Sequence, residues 1–414
     1  MLRSRAWLVP AVLGVAVGLA ADANAGPALD VEARNVSGTT GIADFSHTYG
    51  ATVADWNGDG WEDVLLNKHY DSVPRLMVND GGQFADLTDD AFSMHPGRRD
   101  YHGCAAADVD LNDELDLYCT VGGRHGGHGA NRKELWLQNG GEFTEHAQEW
   151  GVRDEFGRGR QATFIDANGD EFPDLYITNQ QPRKDGLPGP NRLFLNSDGE
   201  SFRDAPEFGV NRRIGGGAVQ AVDFDLDGWE DLFLCSQNGI RIFRNVNGQR
   251  FQPVTRTARA NGFCGHAVLA PVNPDARPDL VVLHQGHLRV ILHGSKGRLQ
   301  RKPVFRERIK QALTFALGDM NGDQIQDVYV VRSSPFDPRR PRDGQSDARD
   351  VMLASNKKTP SFGRVPVPSS RRGIGESVAA IDHDENGLSD FIVSNGRLKA
   401  IGPTRLTAFY PEDP

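Results

Sequence analysis

The chain reads as an all-β fold, a seven-bladed β-propeller, and three observations predict it. One motif recurs along the chain, its copies stand about one blade apart, and each copy is flanked by strand signals. The motif is an apolar run, an Asp-rich loop and a second apolar run. In order the copies read ADWNGDGWEDVLL, ADVDLNDELDLYC, IDANGDEFPDLYI, VDFDLDGWEDLFL, APVNPDARPDLVV, GDMNGDQIQDVYV and IDHDENGLSDFIV. Their first loop positions are Asp55, Asp108, Asp166, Asp223, Pro271, Asp319 and Asp382, separated by 53, 58, 57, 48, 48 and 63 residues. Each interval accommodates four short strands.

Before the first copy, residues 1–25 have the grammar of an export signal. Arg3 and Arg5 precede an apolar run from Ala6 to Ala20, and Ala23-Asn24-Ala25 offers a small-x-small cleavage site. Asp22 and Asn24 close the run too early for a membrane span. The expected product is a secreted protein, extracellular or periplasmic, with residues 26–414 forming a single propeller domain and a monomer. Abundant Gly (47 residues) and few aromatics (8%) suit turn-rich strands better than a helical bundle.

Within each repeat the strand after the loop is apolar at consecutive positions, as in Leu175-Tyr176-Ile177 and Leu232-Phe233-Leu234. Such strands expect burial on both faces, which neighbouring blades provide. Further strand pairs with Gly-containing turns follow, for example RLMVNDGGQFADLT and RLFLNSDGESFRDA. For the last blade two closing segments compete, Val31 to Val36 and Leu406 to Tyr410, and some overlap of the termini is expected there. Four Cys in an exported chain predict pairing, with Cys104 and Cys119 facing each other across one loop and Cys235 and Cys264 left as the second pair; four buried free thiols are the alternative.

The loop pattern places side-chain oxygens at positions 1, 3, 5 and 9 and a backbone carbonyl at position 7, the place of Trp61 in the first copy. In the fourth copy the donors are Asp223, Asp225, Asp227 and Asp231, turning at Gly228. Two carboxylates about 4 Å apart repel by about 4 kcal/mol at an effective dielectric of about 20, so a cation is needed to offset them. Oxygen donors on a flexible loop, with no Cys or His at those four positions, suit Ca2+. An EF-hand would close with Glu at position 12, but here that position is Leu66, Cys119, Ile177, Leu234, Val282, Val330 and Val393. A metal-free hairpin made of Asx turns is the competing reading. Gly60, Gly228 and Gly387 permit positive φ at position 6, whereas Glu171 and Gln324 do so at a steric cost. The first, fourth and seventh loops are therefore expected to bind best. Up to six Ca2+ sites are expected, with the fifth loop, which has Pro271 at position 1 and retains Asn273, Asp275 and Asp279, weak or empty. Without Arg3, Arg5 and Asp22 the formal charge of −10 becomes −11, and six divalent ions would bring it near neutrality. The acidity thus belongs mainly to the loops, and no nucleic-acid footprint is present.

On these loops the chain resembles the FG-GAP and VCBS-repeat family, the calcium-looped propellers of integrin α subunits, cartilage acidic protein-like secreted proteins and many bacterial exports. The resemblance covers the chain beyond residue 26 and implies ligands at Asp55, Asn57, Asp59 and Asp63 in the first loop. It likewise implies Asp108, Asp110, Asn112 and Asp116; Asp166, Asn168, Asp170 and Asp174; Asp319, Asn321, Asp323 and Asp327; and Asp382, Asp384, Asn386 and Asp390. The family spans adhesins, lectin-like proteins and polysaccharide-processing enzymes, so the resemblance does not select an activity.

If the metal loops join first and second strands on one face, the longer connections lie on the other. They hold Arg124, His125, His128, Arg132, Arg183, Lys184, Arg339, Arg340 and Arg342, within 68–74, 122–133, 180–191 and 332–350. Residues five or six before each loop start, among them Tyr49, His102, Arg160, Gln161, His266 and Glu376, are expected at the channel mouth. This face is the expected binding site for a glycan or protein ligand, with Tyr49, His102, Arg124, Arg160, His266 and Glu376 as its candidate residues. The alternative is a lyase-like, polysaccharide-active enzyme using the His, Tyr and Arg of the same rim; no nucleophile motif or cofactor fingerprint supports it.

Overall fold

The computed structural model describes residues 33–411, apart from short breaks and the longer stretches 123–131, 181–188, 255–263, 333–349, 356–361, 368–374 and 396–404. The proposed export signal lies outside the described residues.

Among the described residues, six four-stranded antiparallel sheets each come from one continuous stretch of chain. The first comprises Thr48–Ala54, Asp63–Lys68, Arg75–Asp80 and Gln83–Asp86. The second runs from Tyr101–Ala107 to Glu142–Glu145, the third from Gly159–Ile165 to Ser201–Asp204, and the fourth from Gly217–Val222 to Phe251–Pro253. The fifth begins at His266–Ala270 and ends at Phe305–Arg308; the sixth begins at Ala312–Gly318 and ends at Phe362–Val365.

The expectation of seven blades is corrected here to six blades of continuous chain and one composite sheet. The seventh repeat gives Gly375–Ile381, Asp390–Asn395 and Arg405–Pro411, and the fourth place is taken by Ala33–Asn35, paired with Arg405–Pro411. Both closing segments named from the sequence are used, side by side. The added strand covers the edge that Arg405–Pro411 would otherwise present.

First strands of successive sheets pack in sequence, and Gly375–Ile381 packs back against Thr48–Ala54, which closes an all-β propeller. The core is divided among the junctions between sheets. Ala105, Tyr118, Phe164 and Ile177 fill the junction of the second and third sheets, and Val64, Leu66, Ile381 and Ile392 that of the seventh and first. Second strands such as Asp174–Asn179 are buried at every residue, as their unbroken apolar runs predicted. Tyr118 and Tyr176 donate their hydroxyls to the carbonyls of Val152 and Val210, pinning inter-sheet connections. Disulfides join Cys104 to Cys119 and Cys235 to Cys264, as expected. Among the described residues no helix is long and apolar enough to cross a membrane.

Candidate metal loops and the opposite rim

All seven Asp-rich loops join the first strand of a sheet to the second, and the position-9 Asp is the first residue of that second strand. In the first loop Asp55 Oδ1 accepts the N–H of Asp59 at 3.1 Å and Oδ2 that of Gly60 at 2.9 Å. The same pair of contacts recurs on Asp108, Asp223, Asp319 and Asp382. Position 5 then accepts the N–H of position 7, as Asp59 does from Trp61. These are Asx-turn contacts, and they draw the carboxylates inward. The expected positive φ is present at Gly60 (96°) and Gly228 (92°), and at Glu171 (72°) and Gln324 (65°) in spite of their side chains. Position 4 is left-handed as well, even at Leu111 and Leu226 (both 60°), a demand that the sequence alone did not reveal.

The position-9 aspartates are buried and tie two strands together. Asp63 Oδ2 accepts the N–H of Trp56 at 2.9 Å and Oδ1 that of Asn79, on the third strand, at 2.7 Å. Asp116, Asp174, Asp231, Asp279 and Asp327 repeat this with Gln138, Asn196, Asn245, His293 and Ser355. Burial pushes their carboxyls up, and nearby loop carboxylates push further, while the backbone N–H bonds pull back. Asp63 reaches about 6, Asp231 and Asp327 about 7, Asp116 and Asp174 about 8, and Asp390 about 9.

Tight donor clusters form at Asp108, Asp110 and Asp116, at Asp223, Asp225 and Asp231, and at His383, Asp384 and Asp390, each with ligand atoms within 4.8 Å of one another. Oδ1 of Asp225 and Oδ1 of Asp390 are buried without a hydrogen-bond partner, so the donor sets of the fourth and seventh loops fit a cation. Arg244 nevertheless lies over the fourth loop, with Nε 2.6 Å from Asp225 and Nη2 2.7 Å from Asp227. The fifth loop does not fit. Pro271 has no side-chain oxygen, Arg277 holds Asp275 at 2.5 Å, and Asn273 donates to Asp279.

A further regularity was missed by sequence reasoning. The third-strand residue opposite the position-9 Asp donates its side-chain amide to the position-2 carbonyl of the preceding loop. Asn79 reaches His383 at 2.9 Å, Gln138 reaches Trp56 at 2.9 Å, Asn196 reaches Val109 at 2.8 Å and Asn245 reaches Ala167 at 3.0 Å. The recurring Asn or Gln at the end of RLMVN, LWLQ, RLFLN and RIFRN was its signal, easily taken for an ordinary turn residue. Between sheets, Glu62 also accepts the N–H of Asp382 and Glu230 that of Asp166.

At the other end of the first strands, five of the six rim candidates can be placed. Tyr49, His102, Arg160 and Glu376 each occupy a register irregularity, between Thr48 and Gly50, Tyr101 and Gly103, Gly159 and Gln161, and Gly375 and Ser377. A bulge re-aims a side chain, and its recurrence in several sheets marks a shared position around the ring. His102 is mostly covered, at 7% exposure, with Nε2 3.2 Å from Asp100 and its ring beside Arg160. His102 is held below the usual imidazole range by burial, against the pull of Asp100. His266 has no bulge; burial lowers it to about 4, and its ring meets Phe315 edge-on at 4.8 Å. Arg124 lies outside the described residues, as do His125, His128, Arg183, Lys184, Arg339, Arg340 and Arg342. Arg132 is exposed and 3.7 Å from Glu155. The sequence also hid a buried ion pair between neighbouring connections, Lys133 Nζ to Asp154 at 3.2 Å, with Arg192 as a second cation on Asp154.

The loops, the ring of sheets and the repeat spacing agree with a family comparison, in which the FG-GAP-like repeat profile matches residues 55–119 and 223–282. The chain carries FG-GAP-like repeats on a β-propeller. No curated protein matches this propeller. Among solved structures it is similar to an Agrocybe aegerita lectin that recognises non-reducing terminal N-acetylglucosamine, at TM-score 0.52 and 16% identity, covering 83% of this chain and 85% of the lectin. It is similar also to BBS1N in complex with ARL6DN, at TM-score 0.52 and 10% identity, covering 93% of this chain and 98% of that one. At these identities the likeness is one of fold.

Proposed function

We propose that this FG-GAP-repeat propeller is a secreted, Ca2+-loaded binding scaffold that takes a glycan or protein ligand on the face opposite its metal loops. The observation that carries the reading is the phase of the loops: carboxylates stand at the same places of the first, second, third, fourth, sixth and seventh repeats, drawn inward by their own backbone contacts. Such carboxylates repel one another, and a hard divalent cation relieves the repulsion at each loop. The residues that would hold Ca2+ are the side-chain oxygens of positions 1, 3, 5 and 9. Counting the composite sheet as a blade gives seven, with six sites, since the fifth loop has Arg277 in place of a cation.

For the ligand face, support comes from the recurrent bulges at Tyr49, His102, Arg160 and Glu376, which set unlike polar residues at one level around the ring. Glycan recognition by a lectin of similar fold makes a glycan the first ligand class to try. Two disulfides suit an oxidising compartment.

Two measurements test the reading. Melting the chain in excess Ca2+ and in chelator should raise Tm with Ca2+, since occupancy at about 100 times Kd adds about 2.7 kcal/mol per site; coincident melts would overturn the calcium assignment. A glycan array should then retain the protein on hydroxyl-rich or acidic glycans, and retention unchanged in the combined Arg160→Ala, Glu376→Ala variant would sink the assigned face.

A further inference from the structure

The seventh loop differs chemically from the other six. At position 2, where they place Trp56, Val109, Ala167, Phe224, Val272 and Met320, it has His383. Those side chains are apolar and serve packing between sheets. His383 is buried too, yet its Nδ1 lies 2.6 Å from Asp390 Oδ2 and 3.9 Å from Asp384 Oδ1. His383 thus adds a nitrogen donor beside the four side-chain positions, which themselves hold no Cys or His.

A second observation is independent of the cluster. In the other sheets Oδ1 of the position-9 Asp accepts an N–H from the third strand, at 2.7 Å from Asn79 in the first. In the composite sheet Phe391 pairs with Phe409, so the residue at the donor place is Pro411, which has no N–H. Asp390 is 1% exposed and its Oδ1 has no partner. A buried acceptor left open in this way calls for a ligand.

We propose that His383 Nδ1, Asp384 and Asp390 form a mixed nitrogen and oxygen site for a divalent transition ion of the zinc type, so that the seventh loop prefers that ion to Ca2+, unlike the all-oxygen loops. Imidazole nitrogen is a good donor to zinc and cobalt and a poor one to calcium, which takes six to eight oxygens. The cation would take the place of the proton shared between His383 and Asp390 and would reach the carboxylate oxygen that Pro411 leaves open. The proposal rests on the reading that these loops hold cations, and its test separates the two.

The test uses the full chain, saturated with Ca2+ and titrated with Co2+ as the probe. One equivalent should bind with the intense visible absorption of a low-coordinate nitrogen and oxygen site, and Zn2+ should displace it. His383→Val, which restores the apolar residue of the other loops, should weaken that equivalent by more than about tenfold. Calcium bound at the all-oxygen loops, measured on the same samples with a competing chelator, should not change. Equal Co2+ binding by His383→Val, or no Co2+ taken up by the native chain beyond what Ca2+ displaces, overturns the proposal. Should His383→Val fail to fold, the native Co2+-loaded protein decides alone: a hyperfine-shifted, exchangeable imidazole N–H is expected, and its absence sinks the site. Loss of the Ca2+ effect on melting with the Co2+ site intact would remove the calcium reading and leave this one standing.

Discussion

Four junctions of the ring and the three that follow are closed by different chemistry. From the seventh sheet round to the fourth, each junction has an amide reaching across: Asn79, Gln138, Asn196 and Asn245. At the corresponding places of the fifth, sixth and seventh sheets stand His293, Ser355 and Pro411. His293 stacks on Phe224 at 4.7 Å and makes no hydrogen bond with either ring nitrogen. Where the amides stop, between the fourth and fifth sheets, the Cys235–Cys264 disulfide crosses, and Gln220 exchanges two hydrogen bonds with the backbone of Leu269. A covalent bond thus stands at the first junction without a third-strand amide. The other disulfide, Cys104–Cys119, lies within one sheet between residues already paired in register.

The largest effect should come from that crossing bond. In the chain-entropy picture, breaking Cys104–Cys119 (15 residues apart) costs about 3 kcal/mol and breaking Cys235–Cys264 (29 apart) about 3.6 kcal/mol. If the second bond also closes the junction that lacks a third-strand amide, the measured gap in denaturant unfolding will exceed that difference; an equal or reversed order breaks the comparison. Next, Asn196→Ala leaves the carbonyl of Val109 unpaired and should lose about 2 kcal/mol, whereas Ser355→Ala should stay within about 0.5 kcal/mol. Similar losses at the two positions would show that the amides are incidental.

A third prediction concerns pH in metal-stripped protein. Carboxyls raised by burial favour the folded state while protonated, so their contribution is full below the ordinary carboxylate range and is lost as pH rises through the raised values. Asp116 and Asp174, at about 8, and Asp231 and Asp327, at about 7, should make Tm fall between pH 6.5 and 8.5. Buried His266 acts in the opposite sense but between about 4 and its ordinary value, below that window. Saturating Ca2+ should flatten the slope, and a flat profile without metal would count against the repulsion invoked here. The smallest effect is a gain: Ser355→Asn offers the missing amide to Val272 and should add about 1 kcal/mol.

Much of this was legible in the sequence because it is local and repeated. Loop spacing located the first-to-second strand turns, the position-9 Asp marked each second strand, and counting back from the loops reached the bulged residues Tyr49, His102, Arg160 and Glu376. Strand register pointed to Cys104–Cys119, and Cys235–Cys264 was then the remaining pair. What escaped depends on partners far apart in the chain. Asn196 looks like a turn residue until Val109, 87 positions earlier, is seen opposite its amide. Arg244 is 17 positions from Asp227, and the pairing of Lys133 with Asp154 joins two connections of no regular structure. His383 stood within a quoted motif, but only its neighbours in space show that position 2 faces the carboxylates.

The composite sheet has a consequence for folding order. Ala33 finds its partner at Pro411, so this contact spans nearly the whole polypeptide and is among the most non-local in the molecule. Six sheets can form as the chain emerges, each from strands that are neighbours in sequence. Closure waits for the final strand to be synthesised, and until then an early segment must remain unpaired and the nascent protein persists as an open arc with two bare edges. The rate of reaching the finished ring should therefore be set at this one seam, late in the process, whatever the speed at which the individual hairpins appear.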